Sequence, residues 1–354
     1  MATKREAQIC LEATPFYHCY VRCVRRAYLC GNDSVTGDNY DHRKQWIVSR
    51  LKFLSYVYAI DICAYAVMSN HYHVVLHVEK ARALAWSQEE VVERWMQVCS
   101  GNMLVDRWLE EPDALDEAAL EVVYETIEEW RSRLHSISWF MRCVNETIAR
   151  MANEEEACKG RFWEGRFKSQ ALLDEVALLS CMAYVDLNPV RAAMEEDLID
   201  SDFTSIQQRL FDYAKHKTNK TTTEKRLVTR VNKQRRIKEL LNLKDLPEAS
   251  LMPFSASNYA PLENALPFTR EDYFDLVDST GKLIRSDKKG FLDEDAPPLL
   301  RSLGINPNHW LEHVKFFNLN YSFCVGRIER MRDFVAIADR SLGKGSEASR
   351  HLYQ

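Results

Sequence analysis

Hydrophobic positions change their period along the chain, and each change marks an element. Residues 16–26, FYHCYVRCVRR, are aromatic and β-branched, which predicts a first strand. After the turn-rich GNDSVTGDN (31–39), residues 41–58 set Trp46, Ile47, Leu51, Leu54 and Val57 at helical spacing. IDICAYAVMS (60–69) and HYHVVLHVE (71–79) predict two strands close enough in sequence to pair as a hairpin. Residues 81–135, rich in Glu, Trp and Leu, predict an inserted helical hairpin or lobe, and 137–157 an amphipathic helix. GRFWEGRFKSQALLD (160–174) reads as a loop entering a strand. A helix over 175–187 follows, with Asp174 as its N-cap and Pro189 as its end.

The order β-α-β-β-(helices)-β-α predicts an α+β fold: a small antiparallel sheet backed by helices. The first unit spans 1–200, with the helical insertion at about 81–135. A basic, Thr-rich linker is expected over 201–239, and an accessory, mainly helical C-terminal domain over 240–354. That last unit carries turn signals at DSTGK, DKKGF and GINPNHW. No apolar run is long enough to span a bilayer, and MATKREAQIC lacks a following apolar segment, so neither membrane nor signal peptide is expected. Ten scattered cysteines without CxxC pairs read as buried thiols in a reducing cytoplasm, and do not suggest zinc.

A net charge of -5 hides a strong asymmetry. Residues 110–129 carry nine carboxylates and no Lys or Arg, which reads as a solvated helical face. Residues 215–238 carry ten Lys or Arg against one Glu, a segment able to hold a phosphate backbone.

The chemistry concentrates in two stretches. In a strand, positions i and i+2 share a face about 7 Å apart, so His71 and His73 can converge on one ion while Tyr72 faces away. His77 shares their parity two steps on and reads as structural. In YVDLNPVRA, Tyr184 and Asn188 stand at i and i+4 on one helical face. The proline pushes Asn188 out of α geometry, which frees its amide oxygen at a fraying helix end. On these residues alone, strand histidines are more often simply hydrogen-bonded in a core, an NP helix end is commonly a cap or turn, and a helical tyrosine is commonly core.

HYH on a strand, then GRFWEGRFKS, then YVDLNPVRA, resembles the HUH single-strand DNA transposases with one catalytic tyrosine, closest to the REP-associated tyrosine transposases. The resemblance covers roughly residues 15–195 and implies a ferredoxin- or RRM-like HUH palm. It departs in the long insertion and in everything after residue 200. It also implies that His71 and His73 are metal ligands, Asn188 the third protein ligand, and Tyr184 the nucleophile forming a 5′-phosphotyrosine; the implied set of two imidazoles and one amide suits Mg²⁺ or Mn²⁺ better than a closed zinc site. Single-stranded or hairpin DNA at REP-like elements is the implied substrate, in a bacterial, nucleoid-associated setting. The same residues leave open a domesticated, non-catalytic hairpin-DNA-binding protein and a replication-initiator or relaxase-type nickase. A monomer and a homodimer both remain open.

Arg161, Arg166 and Lys168 interleave with Phe162, Trp163 and Phe167, joining phosphate-binding charge to faces on which bases stack, at about 1–3 kcal/mol per base. Arg22, Arg25 and Arg26, on or after the first strand, are further candidates for phosphate contacts. Arg191 reaches toward DNA or complements its helix end. Asp186, about 200° round the helix from Tyr184, is expected to face away from the site.

Overall fold

Alternation of side chains across the first strand sorts the whole structure into two layers around one sheet. The computed structural model describes residues 8–24, 29–31, 37–192, 194, 197–215, 217–241, 243, 245–256, 264–285 and 297–353. Arg25, Arg26 and the DKKGF stretch lie outside the described residues. Strand β1 (Phe16–Arg22) is followed by α1 (His42–Val57) and the hairpin β2 (Ile60–Val67) and β3 (His71–Val78). The first strand is shorter than its sequence pattern suggested. The helical insertion is α2 (Lys80–Ala85), α3 (Gln88–Met96), α4 (Met103–Glu110) and α5 (Glu117–Leu134), then α6 (Ile137–Glu155). Strand β4 (Lys168–Leu172) and α7 (Glu175–Asp186) complete the expected order, so the fold is mixed α/β with a small, mostly antiparallel sheet.

Strand β1 sits between β3 and β4, antiparallel to both, and β2 pairs antiparallel with β3. Tyr17, Cys19 and Val21 are buried on the face that also holds Tyr72, whose hydroxyl donates to Asn145 Oδ1 of α6 at 2.8 Å. The opposite face carries His18, Tyr20, His71 and His73, and α7 lies over it. A bulge between Ile62 and Ala64 leaves the Cys63 carbonyl out of the ladder, and Arg209 donates to it at 2.9 Å.

Beyond α7 the chain runs on helically where a stop was predicted. Asn188 opens a further turn, α8 (Asn188–Arg191), with Pro189 in its first turn. There a proline lacks nothing the helix needs, because first-turn N–H groups have no intrahelical acceptor. The segment read as a linker forms α9 (Ser205–Ala214) and α10 (Thr222–Leu240), and α10 packs on α9 and α1. Part of its basic charge is paired inside the molecule. Arg226 and Arg230 pair with Asp200, Arg230 also with Asp202, and Lys238 with Glu248.

The C-terminal portion holds β5 (Phe254–Ser255) and β6 (Leu266–Thr269), paired in parallel, then α11 (Arg270–Arg285), α12 (Pro298–Ser302), α13 (Pro307–Lys315) and α14 (Phe317–Asn320). Strand β7 (Cys324–Val325), α15 (Ile328–Ile337) and α16 (Ser346–Leu352) end it. The DSTGK turn signal lies inside α11. Gly281 is helical there because a Cβ would come within 3.2 Å of Leu187 Cδ2, so the glycine permits close helix approach rather than a turn. Strand β7 adds a fifth strand to the sheet, parallel to β4, with Ala171 opposite Cys324. One hydrophobic core includes residues from both the first four strands and this segment.

Within the insertion, Trp95 stacks on Trp130 at 5.7 Å and meets Trp139 at 5.5 Å. Buried Arg131 ties it down by donating to the Ala83 and Trp86 carbonyls at 2.9 and 2.6 Å. The acidic run lies mainly on the exposed side of α5, with Glu128 paired to Arg131 and Glu129 to Arg133. No helix among the described residues is long and apolar enough to cross a membrane.

Asp174 is the N-cap of α7, accepting from Ala177 N at 2.9 Å, and it also accepts from Arg327 N at 2.8 Å and the Tyr353 hydroxyl at 2.6 Å. Asp174→Ala removes a cap and leaves two further donors without an acceptor, so we expect a loss of about 2–4 kcal/mol. Chemical denaturation of the full chain checks this. Asp186 is fully buried and faces away from the histidine face, accepting from Ile206 N at 2.9 Å and from the Ser205 and Tyr273 hydroxyls. Burial pushes its pKa up from 3.8 to about 6, against the pull of Ser205, Tyr273, Arg209 and the Ile206 N–H. Between those values the folded chain keeps a proton that the unfolded chain has released, so stability falls as pH rises through the window. Urea unfolding across that range should show this slope in the native chain and lose it in Asp186→Asn.

Candidate functional site

The β1–β3 register places Tyr20 opposite His73 and Arg22 opposite His71, and β4 brings Gln170 beside His18 and Lys168 beside Tyr20. Directly opposed residues share a face, so one sheet surface collects three imidazoles, a phenol, an amide and two cations. Helix α7 crosses this surface and sets the Tyr184 ring edge-on to His73, with centroids 5.5 Å apart. A cavity of about 380 Å³ opens there, with Tyr20, Arg22, His71, His73, Tyr184 and Asn318 in its wall. Glu164, Arg166 and Lys168 stand on the same wall, from the loop that leads into β4.

His71, His73 and Tyr184 are therefore brought together, from positions more than a hundred residues apart in the chain. His71 Nδ1 lies 2.7 Å from Asn70 Oδ1, a carbonyl oxygen that can only accept, so the ring donates there and its Nε2 carries the lone pair. His73 Nδ1 is joined to His18 Nε2 at 2.9 Å, which leaves its own Nε2 as the nitrogen available to a ligand. Burial holds both rings neutral. The His71 pKa falls to about 4, chiefly by desolvation and then by the charges of Arg22 and Arg191. His73 is pushed well below the ordinary value, again chiefly by desolvation, then by His18, His71 and Arg191.

Tyr184 is 5% exposed, stacked against Phe317 at 5.2 Å, with the Arg191 guanidinium 4.5 Å from its ring centroid. Burial raises its pKa, and Arg191 opposes that rise. The Asn318 amide donates to its oxygen at 2.7 Å, a bond that is stronger to a phenolate than to a phenol.

Other residues singled out from the sequence are placed differently. Asn188 is buried on α8, but it is not part of the cavity wall, and its Nδ2 has no hydrogen-bond partner. The amide facing the cavity belongs to Asn318, whose Oδ1 is buried without a partner. Trp163 lies in the core on the opposite side of the sheet, meeting Tyr72 at 5.9 Å and donating to the Asn145 carbonyl at 2.9 Å. Phe162 and Phe167 are also buried, while Arg161, Arg166 and Lys168 are exposed. The interleaving of basic and aromatic residues thus separates into an outer and an inner set. Arg191 donates to the Lys315 carbonyl at 2.9 Å and covers the nucleophile candidate. His77, which shares the parity of His71 and His73 two steps further on, is bonded to Asp61 at 3.3 Å and packed on Phe16.

Sequence reading missed His18, Gln170 and Asn318. His18 shares the parity of Tyr20 and Arg22, a visible signal once β1 is known to neighbour β3. Asn318 had none, because α14 reaches the site only through tertiary packing.

Among the described residues, no group of three or more His, Cys, Asp or Glu side chains is placed to hold a metal ion. A cation in this cavity would rest on the two imidazoles and on amide, hydroxyl or phosphate oxygens. That donor set fits a hard, open-sided ion such as Mg²⁺ or Mn²⁺.

No family model matches the sequence, and no curated protein matches it. Among solved structures, the chain is similar to one described as "Structure of the REP associates tyrosine transposase bound to a REP hairpin". The two are 13% identical with a TM-score of 0.32, and the match covers 55% of this chain and 78% of that one.

Proposed function

We propose that this chain is a single-strand DNA transposase or nicking enzyme, with an HUH palm and Tyr184 as its nucleophile. The observation that carries the reading is the shared cavity: a phenol, two imidazoles with available Nε2 atoms, and a basic rim of Arg22, Arg166 and Lys168. The sequence motifs HYH, GRFWEGRFKS and YVDLNPVRA support DNA as the substrate, in single-stranded or hairpin form.

In this mechanism Arg22, Arg166 and Lys168 hold the backbone by charge, and the aromatic faces first assigned to base stacking are replaced in that role by Tyr20, which lines the cavity. His71 and His73 would hold Mg²⁺ or Mn²⁺, and Asn318, in the same wall with an unpaired Oδ1, would be the adjacent amide. Once bound, the cation supplies positive charge that polarises the phosphodiester. Asn318 and Arg191 favour the phenolate against the raising effect of burial. The Tyr184 oxygen attacks phosphorus as the phenol loses its proton; the bond from phosphorus to O3′ breaks, and O3′ leaves with a proton as a 3′-hydroxyl. The product is a 5′-phosphotyrosine. Because one phosphoester replaces another, a second 3′-hydroxyl can reverse the step and join a new strand without ATP.

A DNA-binding chain without catalysis is the second reading, and one observation favours it: the Tyr184 hydroxyl is already engaged by Asn318 under Phe317. One experiment separates the two. End-labelled single-stranded hairpins incubated with full-length protein and Mn²⁺ should give a covalent protein–DNA adduct. Tyr184→Phe should abolish it while hairpin affinity changes by less than about 1 kcal/mol. An adduct that survives the substitution sinks the assignment of Tyr184, and no adduct from the native chain favours the binder.

A further inference from the structure

Three buried side chains behind the cavity form a chain of hydrogen bonds whose direction can be worked out. Gln170 on β4 is 1% exposed, and its Nε2 faces two backbone carbonyls, Ser322 at 3.0 Å and Tyr321 at 3.3 Å. A flipped amide would set Oε1 against two acceptors, so the orientation is fixed. Gln170 Oε1 therefore faces His18 Nδ1 at 2.7 Å and can only accept. A neutral His18 with its proton on Nδ1 has a bare Nε2. That nitrogen lies 2.9 Å from His73 Nδ1, so His73 must be the donor.

From this direction we infer that Gln170 and His18 are positioning residues that hold His73 as the Nδ1–H tautomer, with Nε2 left bare toward the cavity. This deepens the proposed function, since a bare imidazole nitrogen is what a cation requires. The carbonyls that orient Gln170 come from the turn between α14 and β7. The C-terminal segment thus acts on the site through backbone atoms, independently of Asn318. Reversing any one bond would put a proton on the nitrogen facing the cavity.

The tautomer can be read without metal or DNA, so this inference and the proposed chemistry fail separately. In full-length protein with nitrogen-labelled histidine, the ring signals of His73 should show Nδ1 protonated and Nε2 bare. Gln170→Met, which cannot accept from His18, should give a mixture of His73 tautomers. The same variant should weaken Mn²⁺ binding, followed by the EPR signal of free Mn²⁺, by about 10–100-fold. His18→Phe keeps the ring volume and should have the same two effects, which covers the case in which Gln170→Met fails to fold. A native His73 protonated at Nε2 overturns the inference, as does a folded variant with unchanged tautomer and unchanged Mn²⁺ affinity. A native chain that shows the stated tautomer but binds no Mn²⁺ upholds the relay and overturns the metal reading of the site.

Discussion

Pairing of β1 with β3 in one register is the constraint on which the site depends. With Tyr20 opposite His73 and Arg22 opposite His71, all four side chains point to the face that α7 covers. A slip of β3 by one residue would send its imidazoles to the face occupied by Tyr72 and α6, away from Tyr20 and Arg22. That register is held by the apolar set on the other face, where Tyr17, Cys19 and Val21 pack with Tyr72 and Val74 in the core. The chemistry on one side of the sheet is kept in place by hydrophobic packing on the other.

Polar groups this deeply buried bring an obligation. Each donor or acceptor shut away from water must find a partner or destabilise the fold by about 1–3 kcal/mol. His18, His73 and Gln170 meet it by bonding to one another and to backbone carbonyls. Their mutual satisfaction makes the arrangement rigid, and rigidity is what a ligand-binding nitrogen needs. Asn188 and Asn318 do not meet it fully, since each has an orphan amide atom. Of the two, only Asn318 lines the cavity.

The parts of this fold that were legible in the sequence are those set by local period. Alternation in HYHVVLHV gave the shared face of His71 and His73, helical spacing gave α1, and Asp174 announced the start of α7 by its chemistry. Misreadings came where a residue type has two uses. Pro189 reads as a stop but is tolerated in a first turn, and Gly281 reads as a turn but admits Leu187. The aromatics of GRFWEGRF read as a stacking platform but point inward, because alternate burial also produces interleaving. Strand β7 was invisible: two residues carry no period, and its partner β4 lies far earlier in the chain. The same holds for Asn318, which no local rule connects to Tyr184.

The late arrival of β7 has a consequence for the order of synthesis. Gln170 leaves the ribosome 151 residues before the Tyr321 carbonyl that orients it. At about 5–20 residues per second the interval is roughly eight to thirty seconds. Throughout that time the half-made sheet has an open β4 edge and a histidine pair whose protons are not yet settled. Until Tyr321 and Ser322 emerge, the Gln170 amide has no carbonyls to orient it, and the hydrogen bonds from it through His18 to His73 have no fixed direction.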